Sequence, residues 1–132
     1  MKVGIMLGAE FSLVSLVTIA RNIWLGLTQA HEPVYLPHAY PYATPAERNA
    51  MAEAFLRECD VVVGLLDPAL LACRKRMGSD VPYLFFTHGD LPAGAWDVRA
   101  ALPYLTTRDV MLVSCSAEVE IARLLLHNAT VH

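Results

Sequence analysis

Lysine is nearly missing from this chain: among 132 residues only Lys2 and Lys75 carry an ammonium group, and 17% of positions are charged at all. With a formal net charge of -3, nothing pulls the protein generally toward nucleic acid or an anionic membrane. Cysteine is equally sparse. Cys59, Cys73 and Cys115 are odd in number and lack C-x-x-C spacing, which argues against both a disulfide framework and a zinc site. They read as reduced packing residues of a cytoplasmic protein. Glycine-rich phosphate loops are absent too: Gly8-Ala9-Glu10-Phe11-Ser12 offers one glycine and an acid where a dinucleotide fingerprint needs three glycines, and no G-x-x-x-x-G-K-[ST] run exists. The apolar stretch from Leu13 to Leu27 is broken by Ser15, Thr18, Arg21 and Asn22, so no transmembrane segment is expected, and Glu10 interrupts what would otherwise resemble a signal peptide.

Apolar residues, by contrast, make up 55% of the chain and the mean hydropathy is +0.40. Residues 1–132 suffice for one domain, with strands buried on both faces or an apolar surface that meets another domain or a second copy of the chain. The pattern alternates strand and helix. Lys2 to Leu7 predicts a central strand, and Ser12 to Gln29 a buried helix. Val34-Tyr35-Leu36 after Pro33 predicts a strand whose proline suits its start or a sheet edge. Residues 37–45 form an ordered, aromatic loop, and Thr44-Pro45-Ala46-Glu47 is a capping box that opens a helix to about Glu58. Val61 to Leu66 is the next strand, Asp67-Pro68 opens a helix to about Met77, and Gly78 stops it.

Pro82 to Phe86 is a fourth strand, followed by a helix from about Asp97 to Leu105 and a fifth strand over Val110 to Val113. Ser116 is expected to cap a last helix that carries Glu118 and Glu120 in its first turn and reaches about His127; Ala129 to His132 begin a sixth strand. The run Arg74-Lys75-Arg76 reads as the solvated, dipole-compatible end of a helix. Strands separated by crossover helices predict an α/β fold: a Rossmann-like three-layer α/β/α sandwich with a mostly parallel, doubly wound sheet.

Ligands of such sheets bind outside the carboxyl ends of the strands. The candidate positions are therefore Gly8-Ala9-Glu10, His38, Asp67, His88-Gly89-Asp90 and Ser114 to Ser116. His88 leaves an apolar strand beside Gly89 and has two readings: an imidazole at a cleft mouth that donates to a hydroxyl or phosphate, or a side chain that satisfies the strand end. His88 and Asp90 are two residues apart with no converging cluster, so no metal site is expected. Glu10, Asp67 and Thr87 fit a phosphoacceptor arrangement loosely, but the lysine it needs after the fifth strand is missing. No G-x-S-x-G elbow surrounds Ser114 or Ser116.

Three passages carry a family resemblance. Ile19-Ala20-Arg21 through Ala30-His31-Glu32-Pro33-Val34-Tyr35-Leu36 is one, Asp60-Val61-Val62-Val63 with Val81-Pro82 through His88-Gly89 is the second, and Asp109 to Ser114 with Ser116-Ala117-Glu118 is the third. In order and spacing they resemble the N-terminal domain of a GT-B glycosyltransferase of the group-1, retaining type, over most of the chain. Gly8-Ala9-Glu10 stands where that family usually has a double glycine. The resemblance implies a domain that contributes the acceptor side of a cleft, with a C-terminal domain gripping a nucleotide-sugar donor, no cofactor and no required metal. It implies His88 as the residue facing the reacting sugar. Gly8, Gly89, Asp90, Ser114 and Glu118 are implied as substrate contacts, and the chain alone as inactive. The end of the chain at His132 is expected to fall where the family's chain runs on into its second domain. The alternative expectation is a stand-alone Rossmann-like module that binds a small ligand or a protein.

Overall fold

The computed structural model describes residues 1–6, 22, 25–37, 39–86, 98–113, 116–125 and 130–131. Within these, six strands form one all-parallel sheet: β1 (Lys2–Met6), β2 (Glu32–Tyr35), β3 (Val61–Leu65), β4 (Tyr83–Phe86), β5 (Val110–Met111) and β6 (Thr130–Val131), in the order β2-β1-β3-β4-β5-β6. Helices α1 (Pro45–Glu58), α2 (Pro68–Arg76) and α3 (Ser116–Leu125) connect them, and the fold is a Rossmann-like α/β/α arrangement. Further helical backbone lies at residue 22, at 25–28 and at 98–101. Strand order reverses between β1 and β3, which makes that junction the topological switch point of the sheet.

The pleat explains which residues form the core. Pairing sets Gly4 beside Val62 and Val62 beside Tyr83 on one row, and Met6, Gly64, Phe85 and Met111 on the next. All of these are buried, whereas Val61, Val63, Leu65, Leu84 and Phe86, which alternate with them, are half-buried. β1 is buried continuously from Val3 to Met6, so the expectation of strands buried on both faces holds for it and not for β3 and β4. Ala52, Phe55 and Leu56 of α1 and Leu70, Leu71 and Cys73 of α2 share the core with the sheet rows. Each large apolar side chain sequestered there contributes about 2 kcal/mol. Gly4 makes the close approach of α1 possible, because a Cβ there would meet Cys59 Sγ and lie 2.7 Å from Phe55 Cζ.

Local signals in the chain produce the element boundaries. Thr44 and Glu47 close a reciprocal capping box at the start of α1, with Thr44 N donating to Glu47 Oε2 at 2.8 Å and Glu47 N to Thr44 Oγ1 at 3.4 Å. Gly78, at φ +65°, ends the turn after α2, where Ser79 N donates to Arg74 O at 3.1 Å. Pro33 sits inside β2, and the sheet places that strand at its edge, where a missing donor costs least.

Several expected boundaries move. β2 takes in Glu32 and Pro33 and stops at Tyr35, one residue short of Leu36. The helix before β5 covers 98–101 and then tightens into a 3-10 turn over Leu102–Tyr104, since Pro103 has no amide to continue the ladder. β5 is two residues long instead of four. Leu112 N still donates to Phe85 O at 2.8 Å, yet Leu112 is 41% exposed. Ser116 is the first residue of α3 rather than the cap before it, and His127 lies outside the described residues.

Arg74 corrects the reading of the basic run. It does occupy the last turn of α2, but it is 3% exposed and forms an ion pair with Asp109, itself fully buried. Lys75 and Arg76 remain exposed, reaching Pro103 O at 3.1 Å and Asn49 Oδ1 at 2.8 Å. Among the described residues no helix is long and apolar enough to cross a membrane. Cys59 and Cys73 are free and buried; Cys115 lies outside the described residues.

Candidate functional site

Parallel strands give the sheet two chemically different edges. At the amino edge, Arg74 comes in from the end of α2 while Val81, Tyr83 and Asp109 belong to the starts of β4 and β5. Arg74 donates to both carboxylate oxygens of Asp109, at 2.6 and 2.7 Å, and to the carbonyls of Val81 and Tyr104, each at 2.8 Å. Asp109 also accepts from Tyr83 N at 2.9 Å and Thr106 N at 2.7 Å. The four N–H groups on Nη1 and Nη2 of Arg74 and both oxygens of Asp109 are used within the cluster, which marks it as a structural clamp.

The carboxyl edge is where the candidate residues fall in sequence. Gly8 follows β1, His88, Gly89 and Asp90 follow β4, and Ser114 follows β5. These five lie outside the described residues, as do Glu10, His38 and Thr87. Glu118 is described: it stands half-buried in the first turn of α3, the helix that leaves β5, where a carboxylate suits the positive helix end. Sequence reasoning thus places the candidates on a shared edge, and of them the structure describes Asp67, Ser116 and Glu118.

Two side chains meet at this edge. Asp67, directly after β3, caps α2: its Oδ1 accepts from Ala69 N at 2.8 Å and Leu70 N at 3.1 Å. Tyr40, in the 3-10 turn Tyr40–Tyr42 that follows β2, directs its hydroxyl to Asp67 Oδ2 over 3.5 Å. Tyr40 is 7% exposed, in contrast to Tyr42 at 78%. Burial first, and then the charge of Asp67, push the Tyr40 phenol above its ordinary range, with the nearby Arg48 guanidinium opposing the shift.

Beneath them Tyr83 is fully sequestered, and its hydroxyl donates to the Leu65 carbonyl at the end of β3. Burial dominates the upward shift of its phenol, with Asp67 and Tyr40 adding to it. Three oxygen-bearing side chains from three elements therefore gather beside the switch point. Asp67 was legible as a strand-end residue. Tyr40 was not singled out, although a tyrosine between two prolines straight after a strand marks an ordered turn on the same edge.

Among the described residues no group of three His, Cys, Asp or Glu side chains is arranged to hold a metal. Set against family models, curated proteins and solved structures, the chain has no match. The functional reading rests on its own residues and sheet.

Proposed function

We propose that this chain is the N-terminal, acceptor-side domain of a retaining glycosyltransferase of the GT-B type, working with a C-terminal domain that binds a nucleotide-sugar donor. One observation carries the reading: β1, β4 and β5, the strands that immediately precede Gly8, His88 and Ser114, run in the same direction and end on one edge of the sheet. Motif order along the chain and strand order across the sheet are thereby consistent with a single cleft wall. In the reaction, the bond between the sugar's anomeric carbon and the nucleotide's terminal phosphate oxygen breaks. A bond to an acceptor hydroxyl oxygen forms on the same face, and the hydroxyl proton passes to the departing phosphate oxygen.

His88 is assigned to face the reacting sugar, where an imidazole donates to a hydroxyl or a phosphate oxygen. Gly8, Gly89, Asp90, Ser114 and Glu118 are assigned to substrate contacts along the same edge. A cytoplasmic setting goes with this, supported by the unpaired thiols of Cys59 and Cys73. The test is sugar transfer by the complete natural polypeptide containing this chain, assayed over a panel of nucleotide sugars and glycoside acceptors. Transfer with retention, reduced about a hundredfold or more by His88→Ala, is the expected result. Absence of transfer from every donor overturns the reading, and undiminished transfer by His88→Ala removes the role given to that side chain.

A further inference from the structure

The positive end of α2 is one place beside the switch point that suits a phosphate, because its first amides point outward and its dipole favours an anion. In this protein that place is taken. Asp67 Oδ1 already receives the amides of Ala69 and Leu70, so an incoming phosphate would meet a carboxylate instead of free donors. The same carboxylate keeps its second oxygen almost unused: the described contact to Oδ2 is the Tyr40 hydroxyl at 3.5 Å, well beyond the distance of a strong O–H···O bond.

Among the described residues Tyr40 is likewise weakly bonded. More than nine-tenths of the residue is buried, and the described contact of its hydroxyl is this long one. Its phenol stays protonated, held so by burial and by the neighbouring carboxylate. An anionic acceptor and a neutral donor thus stand 3.5 Å apart, one from the turn after β2 and the other from the turn after β3, flanking the carboxyl end of β1. A ligand hydroxyl seated beside the pair, within reach of both oxygens, donates to Asp67 Oδ2 and accepts from Tyr40 in place of their long mutual contact.

We infer that Asp67 and Tyr40 form a hydroxyl-binding subsite at the switch point, selective for a neutral polyhydroxylated ligand such as the acceptor sugar and closed to phosphate. This subsite rests on reading the carboxyl edge as the acceptor side, and it assigns the donor's phosphates to positions away from α2. Asp67 and Tyr40 become specificity-determining residues with separable contributions. Asp67→Asn preserves a good helix cap while removing the charge, and Tyr40→Phe preserves the buried ring while removing the hydroxyl.

The experiment is calorimetric titration of the chain and both variants with the methyl α-glycosides of glucose, mannose and galactose, and separately with inorganic pyrophosphate. Saturable binding of at least one glycoside is expected, weakened about tenfold or more by Asp67→Asn and several-fold by Tyr40→Phe at unchanged melting temperature, with pyrophosphate failing to compete. Three results overturn the subsite: no glycoside binds, both variants bind as tightly as the parent, or pyrophosphate displaces the sugar. Variant-sensitive glycoside binding with no sugar transfer by the complete polypeptide keeps the subsite and overturns the transferase. Transfer insensitive to Asp67→Asn and Tyr40→Phe does the reverse.

Discussion

Arg74 and Asp109 meet in a two-pronged ion pair, with both guanidinium-to-carboxylate contacts at 2.6 to 2.7 Å and neither side chain open to solvent. The pair joins the end of α2 to the starts of β4 and β5, because the same two side chains also bind Val81 O and Tyr83 N. Removing one partner strands a buried charge. Arg74→Ala and Asp109→Ala should each cost about 3–5 kcal/mol in urea unfolding. Replacing both residues with apolar ones should recover only part of that loss, since Tyr83 N and Thr106 N would still lack their acceptor. Full recovery in the double variant would mean that the clamp is an isolated ion pair.

Gly64 lies in the middle of the sheet at φ +152°, and a Cβ there would collide with the carbonyl oxygen of Met6 on the neighbouring strand. Gly64→Ala should therefore lose more than about 4 kcal/mol or fail to fold. Gly78 has φ +65° but open space around it, so Gly78→Ala should cost only about 1 kcal/mol. Comparison of the two melting temperatures checks the contrast. Equal losses would contradict the close approach of β1 and β3 at the switch point.

The capping box at Thr44 gives a milder effect. Thr44→Ala should destabilise by about 1 kcal/mol in chemical unfolding, because Glu47 N loses its acceptor and the Glu47 carboxylate loses the hydroxyl that helps hold its pKa below the usual range. Thr44→Ser should restore most of the loss.

Alkaline conditions should weaken the fold through buried neutral groups. Burial, followed by the charges of Glu58 and Asp60, pushes the Cys59 thiol up from 9.0 to about 12, so the unfolded chain gives up its proton first. The stabilisation is complete below pH 9.0 and is lost as pH rises from there through about 12. The buried phenols of Tyr40 and Tyr83 act with the same sign above 10.0. Unfolding free energies at about pH 8 and about pH 10.5 should differ less in Cys59→Ala than in the parent, whatever the cavity costs. An unchanged difference would show that Cys59 does not titrate with folding.

Most of the architecture was legible because strong local signals agreed with one another. Thr44, Pro45 and Glu47 define the start of α1, Pro68 that of α2 and Gly78 its end, and Pro33 marks the edge strand; each depends on backbone chemistry within a few residues. What escaped depends on distant partners. Nothing near Arg74 in sequence tells it apart from Lys75 and Arg76, and Asp109, its partner, is 35 positions away. The short β5 likewise follows from sheet position, since Leu112 has the hydrophobicity of a core residue and yet lies open. At the candidate site, Asp67 was readable from its place after a strand. Its pairing with Tyr40 was not, because 27 residues separate them and only the β2-β1-β3 order brings their turns together.

The central claim is that the carboxyl edge of the sheet is the binding edge. Amide chemical-shift mapping of the isotope-labelled chain during titration with a nucleotide sugar and a methyl glycoside tests it most directly. The account predicts saturable shifts at Met6, Asp67, Phe86 and Leu112, at or just beyond the ends of β1, β3, β4 and β5, with Arg74, Val81 and Asp109 at the amino edge unmoved. Shifts concentrated around Arg74 and Asp109, or no saturable shifts anywhere, would contradict it.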